Sequence, residues 1–372
     1  MPPGQSPEPV STVSPGGGTS GMSRNVSLGI VVVVGALVLA VAFYLLPKTH
    51  APAETVRTEP LRVGVVQHTK GLDSVYEGFK QGMTELGYVE GTDITYEYQF
   101  SEGDPEKVRD ITRAFIAQNV DMLFVMTSSA AKVVVPETKA AARDDIPVVF
   151  TNGVTVLSDG TVASYRSSGN NATGLVPDDT AISIKKLEFL KQINPKAKKV
   201  GVFISKGTSS NAREATLAAL REGGAGLGIE ILTYEVPLAV SAEAGAKEVA
   251  ATIKSGAVDA LMTIPDPPIT APPVNKVIAD LGIREKIPTM LLNVGDGGLL
   301  AYNLDLIASG KQAATMADRI FRGAKPSDIP IEFPRKNILF IDLGVAKKIG
   351  VTIPESLIYA ADRVVPAEGE TQ

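Results

Sequence analysis

Cysteine is absent from the 372 residues, and histidine occurs only at His50 and His68. The first absence excludes disulfides, thiolate metal sites, catalytic thiols and a lipid-modified N-terminal cysteine. With so few histidines a zinc centre of the usual His-rich kind cannot be assembled, and no cofactor is implied. Charge is used sparingly: 21% of residues are charged against 44% hydrophobic, and the formal net charge is -5. That balance belongs to a globular chain, and the mild acidity removes the electrostatic case for a nucleic-acid partner. At about 100 to 200 residues per domain, the length suits two domains.

Residues 1–25 are expected to be a disordered tail, because up to Ser23 they are mostly Pro, Gly and Ser with one charge at Glu8. Segment 26–46 reads VSLGIVVVVGALVLAVAFYLL and carries no charge. A helix of about 21 residues at 1.5 Å each spans a hydrocarbon core of ~30 Å. Arg24 precedes the run, and Tyr44 sits near its far end, where aromatic rings favour the interface. The segment is therefore read as a retained transmembrane anchor, its terminal isolation disfavouring a buried core helix. A cleavable signal peptide is the competing reading, since Ala51-Pro52-Ala53 has the small-x-small form of a cleavage site. The apolar run is, however, longer than the usual ~7 to 15 residues. Arg24 against Lys48 and Arg57 leaves the positive-inside comparison nearly balanced. Residues 47–60 make a polar, Pro-containing linker, and the large acidic domain beyond it is placed outside the cell membrane.

Two copies of one pattern fill the remainder. LRVGVV leads through a polar loop to Leu72, Val75, Tyr76, Phe79, Met83 and Leu86, whose 3 and 4 spacing marks one helix face ended by Gly87. The strand DITYEY follows. The order recurs from Lys198 as KKVGVF, a polar loop, a helix around Glu214 to Arg221, glycines and the strand IEILTYEV. Val120-Asp121-Met122-Leu123 matches Val258-Asp259-Ala260-Leu261, and Ile146-Pro147 matches Ile287-Pro288. An offset holding at about 137 to 141 residues over four landmarks predicts two homologous βα domains in tandem.

The fold class expected is α/β: two tandem Rossmann-like lobes joined by a multi-segment hinge and preceded by the anchor. The N-terminal lobe is assigned 61–175 plus about 303–330. The C-terminal lobe is assigned 176–302 plus about 331–366, with 367–372 as a tail. In parallel sheets, ligands collect outside the carboxyl ends of the strands, so two lobes offer two such edges to one cleft.

The stretches EGFKQGMTELGYVEGTDITYEYQFSEGD, VDMLFVMTSSAA, NNATGLV and ADRIFRGAKPSDIPIEFPRKNILFIDLGVAKKIGVTIPESLIYAADRVV carry a resemblance. Over about Leu61 to Val365 the chain resembles the substrate-binding proteins of bacterial ABC importers, in the branch similar to tryptophan-type binding proteins. The resemblance implies a type I periplasmic-binding fold, hinge closure on a small molecule such as an amino acid, an ABC permease as partner, and no catalysis. It also implies a bacterial cytoplasmic membrane, with the binding domain facing the periplasm or cell exterior and acting as a monomer. Two departures stand out. Thr127-Ser128-Ser129-Ala130 replaces the family's usual Thr-Pro-Ala-Ala loop. Family members are also commonly secreted or lipid-anchored instead of held by a helix.

Candidate ligand-binding residues lie at the predicted strand ends. Gln67 and His68 end the first strand. Thr127, Ser128 and Ser129 follow MLFVM and precede a helix, so hydroxyls and free N–H groups would converge on a polar or anionic group; simple helix capping explains them equally well. Ser209 and Ser210, between Thr208 and Asn211, repeat this arrangement in the second lobe. Asp266 follows LMTIP and is a candidate partner for a ligand ammonium, against a turn-forming role in the PDPP run. Asn152 and Asn293 end the paired IPVVF and IPTML strands.

Three motifs point elsewhere and are set aside. Ser129-Ala130-Ala131-Lys132 fits the S-x-x-K of a serine hydrolase, but no K-T-G follows it. Residues 223–228, GGAGLG, imitate a dinucleotide loop but follow a helix and enter a strand, so they are read as a helix stop. Asn171-Ala172-Thr173 fits a glycosylation sequon. The reading reached is an anchored solute-binding protein, with a ligand-sensing adaptor as the alternative use of the same cleft.

Overall fold

A computed structural model of the chain describes residues 59–208, 211–292 and 294–367. The tail, the apolar segment 26–46 and most of the linker lie outside these residues. Among the described residues no helix is long and apolar enough to cross a membrane.

The chain begins with β1 (Leu61–Gln67), α1 (Asp73–Glu85), β2 (Ile94–Phe100), α2 (Pro105–Ala117), β3 (Met122–Val125), α3 (Ser128–Ala140), β4 (Val148–Phe150) and β5 (Ala172–Gly174). These strands form one sheet in the order β2-β1-β3-β4-β5, with every pair parallel. There follow α4 (Asp179–Ile193), β6 (Lys199–Ser205), α5 (Asn211–Leu227), β7 (Glu230–Val236), α6 (Ala242–Thr252), β8 (Ala260–Thr263), α7 (Pro267–Thr270), α8 (Pro272–Glu285), β9 (Thr289–Leu291) and β10 (Leu300–Leu304). After α9 (Leu306–Phe321) come β11 (Asn337–Asp342), α10 (Leu343–Ile349), α11 (Glu355–Ala360) and β12 (Arg363–Val365). The second sheet runs β12-β11-β10-β9-β8-β6-β7; β10 and β11 pair antiparallel, and β12 runs parallel to β11, so these two strands oppose the other five.

The two sheets are built alike, down to single contacts. Asp121 accepts the Arg62 N–H at 2.8 Å, and Asp259 accepts those of Lys198 and Lys199 at 2.7 and 2.8 Å, tying the start of each lobe's first strand to its third. Gly64 and Gly201 occupy matching positions in those first strands. A Cβ on Gly64 would stand 2.7 Å from the Phe115 ring, and one on Gly201 would stand 2.6 Å from the Tyr234 ring. Each sheet is buried on both faces, as parallel sheets must be. In the first lobe, Val108, Phe115 and Val134 cover one face, while Phe79, Met83, Ala313 and Ala317 cover the other. In the second, Leu187, Leu190 and Leu220 lie on the opposite side from Ala246, Val274 and Ile278.

The chain passes between the sheets three times. It leaves β5 for α4, leaves β10 for α9, and returns from the turn at Pro326–Asp328 to β11. Helix α9 thus belongs to the first lobe, lying against α1 at a contact with almost no side-chain spacer. A Cβ on Gly78 would come within 2.2 Å of the Ile307 carbonyl, and one on Gly310 within 2.1 Å of the Val75 carbonyl. Two of the crossings touch: Leu175 bridges Glu332, with Val176 N–H to Glu332 O at 3.0 Å and Glu332 N–H to Gly174 O at 3.1 Å.

One sequence expectation is corrected. Residues 223–226 do not stop the second-lobe helix, which continues through them to Leu227. Gly224 is needed inside the helix, because a Cβ there would meet the Ile229 carbonyl at 2.7 Å. The break falls at Gly228, whose φ of +66 favours glycine.

Candidate functional site

All three crossings lie at the carboxyl ends of the parallel strands. Gly174 ends β5, and α4 starts five residues on; α4 then runs back so that its far end feeds the start of β6. The two carboxyl edges therefore lie on either side of the crossings, which defines the cleft and the residues that border it.

On the first lobe, Gln67 and His68 close β1. Both are buried, and their carbonyls accept the N–H groups of Ser101 at 2.9 Å and Gly103 at 2.7 Å. His68 Nδ1 lies 2.8 Å from Ser101 Oγ. Burial lowers the His68 pKa, with Asp104 opposing, so the ring is a neutral polar wall at pH 7. Gln67 donates to Asp73 Oδ1 at 3.2 Å, leaving its own Oε1 buried without a partner.

Thr127 caps α3, its hydroxyl accepting the Ala130 N–H at 3.1 Å. Ser128 is buried; its hydroxyl donates to the Asn152 carbonyl at 3.4 Å and accepts the Thr155 N–H at 3.3 Å. The capping reading thus describes Thr127, and Ser128 pins the loop after β4. Ser129 is exposed in the first turn of α3, where backbone N–H groups have no intrahelical acceptor. Asn152 adopts a left-handed φ of 50, a strained state for a residue other than glycine, and its Nδ2 is buried without a partner. Thr151 Oγ1 beside it is likewise buried and unpartnered.

On the second lobe, Ser209, Ser210 and Asn293 lie outside the described residues. Asp266 is 4% exposed and fully engaged within its own lobe. It accepts from Ser205 N–H at 2.8 Å, from Ser205 Oγ at 2.8 Å, and from Arg213 Nη1 at 3.2 Å. Arg213, 6% exposed, also donates to the carbonyls of Ser205, at 3.0 Å, and Thr208. The carboxylate expected to meet a ligand ammonium is therefore neutralised by an arginine that sequence reasoning missed. A buried Asp demands a cation, but nothing in the sequence says that it comes from the strand-to-helix segment after β6, 53 residues earlier. The Asp266 backbone does start α7, accepting the N–H groups of Ile269 at 2.8 Å and Thr270 at 2.9 Å. Thr263 Oγ1, at the end of β8, is buried without a partner.

The motifs set aside have structural explanations. Lys132 and Ser129 are both exposed on α3, and no hydrogen bond joins them among the described residues. Asn171 is 8% exposed, its amide donating to Thr138 Oγ1 at 3.0 Å and the Ile146 carbonyl at 2.6 Å, so the sequon is closed to glycosylation. Among the described residues no His, Asp and Glu cluster could hold a metal ion.

Two doubly covered α/β lobes, joined by three crossings and turning unpartnered polar strand ends toward each other, define a two-lobed binding protein of the periplasmic type. The chain belongs to the ABC transporter substrate binding protein family, whose model matches residues 62–365. It is a solute-binding protein for ABC import, works outside the cytoplasm and is not an enzyme. It is 26% identical over 272 residues to the tyrosine-binding protein of Clostridioides difficile, covering 72% of this chain and 73% of that one. Two solved structures share the fold. One is an ABC domain from Streptococcus pneumonia in complex with L-Trp, with TM-score 0.67 and 23% identity over 82% of this chain and 100% of that one. The other is a ligand-free, open substrate binding protein with adhesive properties from Clostridium difficile, with TM-score 0.67 and 21% identity over 83% and 100%.

Proposed function

We propose that this protein captures an aromatic amino acid between its lobes and hands it to an ABC permease while held to the membrane by residues 26–46. The observation that carries the reading is the row of buried polar atoms without partners at the carboxyl strand ends: Gln67 Oε1, Thr151 Oγ1 and Asn152 Nδ2 on one lobe and Thr263 Oγ1 on the other. Such atoms cost roughly 1 to 3 kcal/mol each unless a ligand satisfies them. The tyrosine-binding relative supports an aromatic amino acid as the chemical class. His68, Ser128, Ser129 and Asn152 would border it from the first lobe, and the loops of Ser209, Ser210 and Asn293 from the second. Asp266 orders its own lobe through Arg213.

A thermal-shift screen of the full chain against the L-amino acids tests this. Binding to the native state alone adds about 2.7 kcal/mol at a hundredfold excess over Kd, so tyrosine, tryptophan or phenylalanine should raise the melting temperature by several degrees. No shift with any of the three would sink the aromatic reading. The uncharged run 26–46 supports a single membrane pass, and the mass of the membrane-extracted protein should include residues before Ala53. A mature chain starting at Glu54 would replace the anchor with a cleaved signal.

A further inference from the structure

With Asp266 engaged by Ser205 and Arg213, a zwitterionic ligand needs a different acidic partner on the second lobe. The N-terminal turns of α4 supply a candidate. Asp179 opens that helix at the carboxyl edge of the second sheet, directly after the crossing from β5. Its neighbour Asp178 uses Oδ1 to cap the helix, accepting the Ala181 N–H at 2.9 Å. Asp179 itself has no hydrogen-bonding partner on Oδ2, which is buried. Ser183 and Lys186 lie one and two turns further along the same face. Ser183 is 1% exposed with an unpartnered Oγ, and Lys186 is 3% exposed. Side chains on a helix lean toward its N-terminus, so the Lys186 stem carries its ammonium toward Asp179 and the cleft edge.

Asp179 and Lys186 attract each other, yet no ion pair within 4.0 Å joins them among the described residues. Opposite charges held in the interior without closing on one another are costly, and such an arrangement persists when a third charge completes it. We propose that Asp179 binds the ammonium group of the amino-acid ligand, and that Lys186 is the positioning residue that keeps this carboxylate ionised. The proposal rests on the amino-acid reading above. Burial pushes the Asp179 carboxyl up to about 6 even with Lys186 opposing the rise; the other charge acting on it is Asp178, which adds to it. Burial likewise pulls the Lys186 ammonium down to about 8. Removing the lysine should therefore raise the pH at which Asp179 takes up a proton and releases the ligand.

Calorimetry on the full chain in detergent tests both roles, with L-tyrosine and its deaminated analogue 3-(4-hydroxyphenyl)propionate as probes. Wild type should prefer tyrosine. Asp179→Asn should weaken tyrosine binding by at least about tenfold, the scale of a lost charge-assisted hydrogen bond, and leave the deaminated acid within about twofold. Lys186→Met should move the acidic midpoint of tyrosine binding to higher pH, a shift that a packing defect would not produce. An equal effect of Asp179→Asn on both probes, or no effect on either, overturns the assignment. If that variant does not fold, an unmoved midpoint in Lys186→Met overturns it alone. Failure of wild type to bind tyrosine is a different result: it removes the aromatic-amino-acid reading and this inference with it.

Discussion

At the scale of single residues, pairing decides which polar groups are available. Asp266 looks from its position like a ligand contact, but its carboxylate is shared between Ser205 and Arg213, at 4% exposure. The neutral amide in Asp266→Asn can keep one of these bonds but removes the buried counter-charge of Arg213, leaving only the half-exposed Glu214, 3.0 Å away, to balance it. Unfolding stability should drop by about 1 to 3 kcal/mol, read as a lower denaturant midpoint in the absence of ligand. An unchanged midpoint combined with weaker ligand binding would restore Asp266 as a direct contact. Asn152 shows the opposite case, since its left-handed backbone and buried, unpartnered amide leave it with capacity that its own lobe does not use.

Among the elements, the contact of α1 with α9 decides where the returning chain docks. Gly78, Gly82 and Gly310 bring the two backbones together, and the first and third face carbonyl oxygens that cannot move aside. In an exposed helix, Gly→Ala stabilises by roughly 0.5 to 1 kcal/mol. Here the sign should reverse: Gly310→Ala forces the helices apart and should cost about 1 to 3 kcal/mol, the usual scale of overpacking, visible as a lower melting temperature. A melting temperature equal to or above wild type would show that the close approach is not required. The glycines of α5 obey the same logic at Gly224, whereas Gly226 meets nothing within 4 Å and is placed by neither packing nor dihedral need.

For the whole molecule, three crossings clustered at one end of each sheet allow the lobes to rotate while their four buried clusters stay packed. The paired crossings at Leu175 and Glu332 bend together, as two backbone hydrogen bonds join them. Two cavities, of about 310 and 260 Å³, lie on the α1 and α9 surface and at the crossings, the second bordered by Asp178, Leu304, Phe333 and Asn337. Because the chain has no cysteine, Leu157→Cys and Val240→Cys would place fluorophores uniquely on exposed loops after β4 and β7, at the rims of the two lobes. Saturating tyrosine should raise energy transfer between them as the lobes close. Constant transfer during demonstrable binding would mean that the ligand enters an already closed molecule.

Much of the architecture could be read from the chain alone, because it rests on local periodicity. The helix face from Leu72 to Leu86 and the strands LRVGVV, DITYEY, KKVGVF and IEILTYEV appear where their patterns put them, and the near-constant offset between halves announces two similar α/β lobes. The edge of each sheet that receives a ligand follows from parallel connectivity, so Gln67, Thr127 and Asn152 could be placed at strand ends. What the sequence could not determine is which of the polar groups there are already satisfied. Arg213 meets Asp266 across 53 residues, while Asp179 stands close to Lys186 without closing on it. Hydrogen bonds and desolvation depend on distances of a few ångströms between segments remote along the chain, so only the tertiary structure decided that Asp266 is engaged and Asp179 is not.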